Sequence, residues 1–456
     1  MPHSIDERAP SLAARRILQS EEIRSFLQTG VMQGDNGKPD PLNPVPIPQG
    51  GRSTSFVLAI DGSLQPVPVL HGFPGAEVAY FSFAAVLLDM QLVADLEPQR
   101  PVSPAAFQKV RSTTPHVMVL PGRNFRQAED LSPRASFRRV SFEKLGATGM
   151  HEDKTKGETL LETYETLLRH RKKNEDDAPK CPYPSCEKPK EMSLPLSGVG
   201  SCRCSNKPLY STDWLRVHEG FNDIGENGAA YAEFMQVTER LWLVNVLRSL
   251  KKSNLLHFGN KIALVLDGPL AVFGHPAWLK DAIKTELQEL NAAVKEQTGE
   301  DLLIIGIEKT GQFADHFLAL DRDSKGTPNQ IANQTLFLPD GRYIKRNIVM
   351  SESDRDYGYQ TYFGRKFFYK TKTGAMIVGS LPFLRDGDDD LDKAELRQYP
   401  RIADALYLLD HLISSQYPNA TVPLVEAHAQ AAIARGLNGR ILEKLTKDLA
   451  GAGNGR

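Results

Sequence analysis

The amino-acid sequence predicts an α/β fold, a mixed β-sheet flanked by helices. Three observations point to it. Two apolar runs with β-branched residues, 55–60 and 261–266, each run into an Asp-Gly pair, Asp61-Gly62 and Asp267-Gly268. Each reads as a buried strand closed by a tight turn. A third run, 301–309, follows segment 277–295, whose Leu279, Ile283, Leu287 and Leu290 share one helical face. Strand–helix–strand of that length implies parallel pairing. Finally, the short apolar segments after the first Asp-Gly pair, broken by Gly and Pro, imply antiparallel neighbours.

The remaining elements follow in chain order. Residues 1–50 hold an amphipathic helix near 13–28 and then a Pro/Gly/Asn-rich connector, 34–51, which reads as an extended arm. After the strand ending at Asp61, segments 67–70, 76–83, 84–93 and 117–120 read as strands. Segment 158–173 has helical spacing of Leu160, Leu161, Tyr164, Leu167 and Leu168. Segment 229–250 is a long helix by its Phe234, Val237, Leu241, Val244 and Leu247. Segments 335–338, 362–369 and 375–378 return to strand, with a hairpin turn at Asp340-Gly341 and a solvated acidic turn at 386–390. Helices 401–415 and 423–435 close the chain, ahead of a flexible tail, 441–456. The expected organisation is thus one large domain over 51–440, with a cysteine-rich insertion at 178–210. The order of elements matches a ribonuclease-H-like core.

Composition narrows the function. The chain has 456 residues, 41% hydrophobic and 24% charged, as in a soluble globular protein. The formal net charge is −1, so no global basic field draws it to nucleic acid, and contact with DNA needs a local patch. No run of about 18 apolar residues occurs, and the N-terminus lacks a signal pattern, so a cytoplasmic location is expected.

Two aspartates on neighbouring strands repel unless a cation lies between them, so Asp61 and Asp267 are candidate ligands of a divalent metal. Helix 229–250 offers Glu233 and Glu239; Glu239 either points inward as a third carboxylate or outward into solvent. Oxygen ligands with an open face suit Mg²⁺ or Mn²⁺, two of which can clamp a phosphodiester. Lys309, ending the third strand, could meet a phosphate charge, and a neutral His428 could complete a Mn²⁺ site. The four cysteines, Cys181, Cys186, Cys202 and Cys204, all fall in the insertion. In a reducing compartment they read as a closed, structural zinc site of four thiolates.

Four pieces of sequence add a family resemblance: Ala59-Ile60-Asp61-Gly62-Ser63, Leu264-Val265-Leu266-Asp267-Gly268-Pro269-Leu270, Ile305-Gly306-Ile307-Glu308-Lys309 and Val422-Pro423-Leu424-Val425-Glu426-Ala427-His428. In content and order they resemble the motifs of the NurA nuclease family, along about residues 51–440. The resemblance implies a ribonuclease-H-like fold and Mn²⁺-dependent cleavage of DNA, as exonuclease and single-strand endonuclease. It also implies a ring-like homodimer that works with HerA, a hexameric DNA-translocating ATPase. Asp61, Asp267 and His428 match metal-binding positions, Glu239 the helical glutamate and Lys309 a further motif position. Tyr417 is the candidate for a family tyrosine upstream of the histidine. The cysteine insertion departs from the family pattern. Arg342, Lys345, Arg346, Arg365 and Lys366 are candidates for contacts lining a DNA channel. Two other readings use the same residues: a zinc-ribbon interaction subunit of a DNA-processing complex with a degenerate nuclease core, and an Argonaute-like guide-binding protein. DNA repair and defence against phage are both open as pathways.

Overall fold

The computed structural model describes residues 19–29, 40–70, 75–91, 111–150, 155–171, 180–183, 186–187, 194–323, 326–412, 427–429, 431–432 and 444–447. Its centre is a nine-stranded mixed sheet. In chain order the strands are β1 (Pro44–Val45), β2 (Phe56–Leu70), β3 (Ala76–Asp89), β4 (Arg111–Pro121), β7 (Ile262–Asp267), β8 (Leu303–Glu308), β9 (Thr335–Phe337), β10 (Gly364–Lys370) and β11 (Met376–Pro382). Strands β5 (Val199–Ser201) and β6 (Pro208–Tyr210) form a separate two-stranded ribbon. The order across the large sheet is β1-β9-β10-β11-β8-β7-β2-β3-β4. The three central strands β2, β7 and β8 are parallel and every other pairing is antiparallel.

The central strands are continuous apolar runs because both of their faces are covered. Leu58, Ile60, Leu264 and Leu266 pack into one core with Phe81, Phe83 and four helices: α2 (Pro133–Ala147), α3 (Leu160–Arg169), α4 (Gly228–Lys252) and α5 (Leu279–Thr298). Val57, Ala59, Ala263 and Val265 pack into a second core on the opposite face. There they meet helix α8 (Ile402–Leu412) and Ala427 of a short C-terminal helical segment. The remaining helices are α1 (Glu21–Thr29), which buries no residue, α6 (Gln312–Leu320) and α7 (Gly341–Asn347).

Several expectations are corrected. The first strand does not end at Asp61: β2 runs through Asp61-Gly62 to Leu70. Its antiparallel neighbour β3 supplies partners all the way, from Phe56↔Asp89 to Leu70↔Ala76, so Asp-Gly makes no turn there. For the same reason 76–83 and the expected 84–93 are joined in one strand, β3, as far as Asp89; residues 92–93 lie outside the described residues. Asp340 caps α7, its carboxylate accepting the Tyr343 N–H at 2.7 Å, where a hairpin turn was expected. Helix α2 escapes a periodicity reading because buried Ser136, Arg138 and Ser141 interleave with Phe137, Val140 and Leu145. In the acidic turn Asp388 is buried, accepting the Leu384 and Arg385 N–H groups at 3.2 and 3.0 Å.

Arg365 and Lys366 are buried and cannot line an open channel. Arg365 donates to the carbonyls of Asp388, Asp390 and Lys393 and lies over the Tyr399 ring. Lys366 pairs with Glu308 between the rings of Phe313 and Tyr362. Arg342 and Arg346 are exposed; Arg346 pairs with Asp40 at 3.3 Å, and Lys345 donates to the Ser353 carbonyl.

Part of the N-terminal arm joins the sheet, since β1 pairs with β9 at its edge. Near the C-terminus, residues 444–447 form a helical turn, and Thr446 is buried with its hydroxyl 2.8 Å from that of Tyr80. The rest of the expected flexible tail lies outside the described residues. Among those described, no helix is long and apolar enough to cross a membrane.

Candidate active site

Parallel pairing brings the two aspartates side by side. The β2–β7 register ends at Ile60↔Leu266, so Asp61 and Asp267 are the next pair along. By alternation both side chains take the face of Val57, Ala59, Ala263 and Val265. Beyond this point β7 turns away: Gly268 has a φ of +91°, open to glycine at no cost, and its N–H bonds to the Ile307 carbonyl at 2.7 Å. Asp61 therefore sits in mid-strand at the level where its parallel neighbour stops.

The C-terminal helical segment brings His428 onto the same face, its Nδ1 3.0 Å from Asp61 Oδ2. The other Asp61 oxygen accepts the Gly62 N–H at 2.8 Å. Lys309, at the end of β8, reaches Asp267 Oδ2 at 2.8 Å. One oxygen of each aspartate and one nitrogen of His428 all lie within 4.8 Å of one another. Asp61 is 4% exposed, and burial together with the nearby Asp267 carboxylate pushes it up to about 6, against the pull of His428 and Lys309.

Glu239 is buried too, so the outward alternative does not hold. Yet it stays outside the close trio, because it approaches from the opposite face, where α4 covers the sheet. Its place depends on Gly62: a Cβ there would lie 2.7 Å from Glu239 Oε1 and 3.1 Å from the Phe83 ring. Burial pushes the Glu239 carboxyl up to about 8; Arg240 opposes this, and Asp61 and Asp267 add to it. Glu233, the other glutamate of this helix, pairs instead with His275 at 3.0 Å.

Arg240 was missed by sequence reasoning. Its buried guanidinium bonds to Glu239 Oε2 at 2.7 Å and to the carbonyls of Pro269 and Ala271 at 2.9 and 3.2 Å. It thereby ties the helical glutamate to the loop that follows Asp267. The available signal was an adjacent Glu-Arg pair inside an otherwise apolar helix. Tyr417 lies outside the described residues.

The cysteines gather only in part. Cys181 Sγ and Cys186 Sγ lie 3.7 and 3.8 Å from Cys202 Sγ, and the three sulfurs fall within 4.8 Å of one another. Cys204, the fourth cysteine of the expected site, is exposed and outside this group. The Ser205 hydroxyl, with the N–H groups of Ser205 and Cys204, draws the Cys202 thiol down to about 6, while burial raises Cys181. A third cluster, His170, Glu286 and Glu289, was not anticipated. There Glu286 is engaged by Arg248 at 2.6 Å and His170 at 3.0 Å, and Arg248 also binds Glu158, so ion pairing accounts for it.

No protein-family model and no curated protein matches the chain. Among solved structures, the crystal structure of the NurA nuclease from Sulfolobus solfataricus is similar, with 10% sequence identity and a TM-score of 0.34 over 98% of each chain. At that score the likeness carries no argument about what this chain does.

Proposed function

We propose that this chain is a metal-dependent deoxyribonuclease that hydrolyses phosphodiesters as an exonuclease, a single-strand endonuclease or both. One observation carries the reading. Asp61, Asp267 and His428, the first and last of them 367 positions apart in the sequence, meet on one sheet face within 4.8 Å. Two carboxylates set side by side, one of them buried, repel each other in the absence of a cation. The donor set of two carboxylate oxygens and an imidazole nitrogen fits Mn²⁺ or Mg²⁺. When bound, such an ion polarises the phosphodiester and activates water.

The chain's own groups have separable roles in this reading. Asp61, Asp267 and His428 hold the ion, and Lys309 Nζ, on the same face, meets phosphate charge. Glu239 faces the pair across Gly62; its high proton affinity lets it hold a proton at neutral pH or release one as a cation approaches. Arg240 positions Glu239 and the loop after Asp267. The inward Glu239 favours this reading over a degenerate core.

The same reading takes 51–440 as one ribonuclease-H-like domain and DNA as substrate. With a net charge of −1 the chain has a weak electrostatic hold on DNA, because affinity follows the number of phosphates neutralised. A homodimeric channel fed by a HerA-type ATPase, in DNA end processing or anti-phage defence in the cytoplasm, would supply that hold. The cysteine cluster would bind structural zinc.

The test is cleavage of single- and double-stranded DNA with Mn²⁺, Mg²⁺ or chelator, comparing wild type with Asp61→Asn at matched folding. Metal-dependent cleavage lost in the variant is expected; full activity in the variant would refute the site. Light scattering should give twice the chain mass, and the ATPase with ATP should stimulate duplex cleavage. A monomer indifferent to the ATPase would overturn the assembly.

A further inference from the structure

We propose that Cys181, Cys186 and Cys202 form a three-thiolate zinc site from which Cys204 is excluded, and that the bound ion seats Tyr183 over a buried ion pair. The inference is independent of the nuclease reading, because its readouts involve no cleavage.

Spacing is the first argument. Sulfurs about 2.3 Å from a tetrahedral zinc stand about 3.8 Å apart, whereas a disulfide joins them at about 2.05 Å. The Cys202 sulfur lies 3.7 and 3.8 Å from those of Cys181 and Cys186. Three soft donors, two of their separations at a tetrahedral edge length and all within 4.8 Å, select zinc over hard cations such as Mg²⁺.

The turn around Cys202 is the second argument. Its backbone is closed by the Cys202 N–H to the Lys207 carbonyl and the Asn206 N–H to the Cys202 carbonyl, both at 2.8 Å. Cys204, two residues further on, is exposed. The fourth corner goes to a donor other than a cysteine of this chain.

What the ion would stabilise is also visible. Tyr183 lies between two of the ligands in sequence. Its ring covers the Arg138 guanidinium at 4.8 Å, and its hydroxyl donates to the Pro208 carbonyl at 2.7 Å. Beneath it Arg138 binds Asp213 through two bonds of 2.7 and 2.6 Å, both side chains almost fully buried. Breaking a buried pair leaves an uncompensated charge, so its cover matters to the fold of α2 and the 208–218 segment. The carboxylate site lies on the far side of α4 and the sheet, and does not depend on this cover.

The experiment is elemental analysis of protein purified without chelator, with Cys202→Ala and Cys204→Ala. One zinc per chain is expected in wild type and in Cys204→Ala, and none in Cys202→Ala. Zinc lost from Cys204→Ala would establish a four-thiolate site and overturn the proposal, as would iron, or no metal, in wild type. Cobalt substitution of wild type gives a readout that needs no variant: sulfur-to-cobalt charge-transfer absorption should have three-quarters of the intensity of a four-thiolate centre. Full intensity would overturn the exclusion of Cys204. On chelation, amide exchange should rise in 208–218 and stay unchanged in β2 and β7; unchanged exchange in 208–218 would overturn the seating of Tyr183.

Discussion

Asp61→Asn should make the protein more stable at neutral pH. The Asp61 carboxyl is raised from 3.8 to about 6 by burial and by Asp267. The native state therefore binds more protons than the unfolded chain between those values. Relative to a neutral side chain, Asp61 costs little below 3.8 and progressively more as pH rises through 6. A shift of about 2 units is worth about 3 kcal/mol at pH 7.5 and less than about 1 kcal/mol at pH 4. That shift is already net of the opposing attraction of His428 and Lys309. The Gly62 N–H keeps an acceptor in asparagine. The expected gain is thus about 3 kcal/mol at pH 7.5, read by denaturant unfolding of both proteins at pH 7.5 and pH 4. Mn²⁺ should stabilise wild type by mass action and leave the variant nearly unmoved, closing the gap between them. A variant no more stable than wild type at pH 7.5, or an equal difference at both pH values, would refute the electrostatic reasoning. Equal stabilisation of both by Mn²⁺ would refute Asp61 as a ligand.

Further expectations follow from the neighbours of Asp61. Gly62→Ala drives a Cβ into Glu239 and the Phe83 ring, and should cost about 1–3 kcal/mol and lower cleavage; unchanged melting would show that Glu239 moves aside freely. Arg240→Met removes the partner of the Ala271 carbonyl and of the buried Glu239 carboxyl and should cost about 2–4 kcal/mol, with cleavage reduced through the loop after Asp267; a variant active at full stability would remove Arg240 as a positioning residue. Glu239 is raised from 4.5 to about 8, so wild type should lose stability as pH rises through 8 while Glu239→Gln does not; parallel pH profiles would contradict this. Lys309→Ala should leave folding within about 1 kcal/mol of wild type, since its pair with Asp267 is part-exposed, and lower cleavage by about 10²-fold; equal rates would take Lys309 out of the chemistry.

Local pattern determined much of this architecture. The apolar runs of β7 and β8, the helical spacing of α4 and α5 and the length of their connection were enough to anticipate a parallel central pair. The shared Asp-Gly ending by itself points to two neighbouring carboxylates. What pattern could not determine was set by partners distant in sequence. Only the continuous pairing with β3 keeps Asp61 in mid-strand and abolishes the expected turn. Burial of Glu239 depends on the missing side chain of Gly62 and on Arg240 reaching past it to the loop after β7, a geometry with no local period. The same holds for Arg365 and Lys366, whose charges look like surface until Glu308, Tyr362 and three backbone carbonyls surround them. Cys202 and Cys204 are two residues apart and chemically identical; a single turn sends one inward and the other out. Local periodicity reports which face of an element is apolar. The partner that compensates a buried polar group is chosen by tertiary packing, and polar groups make up the candidate site.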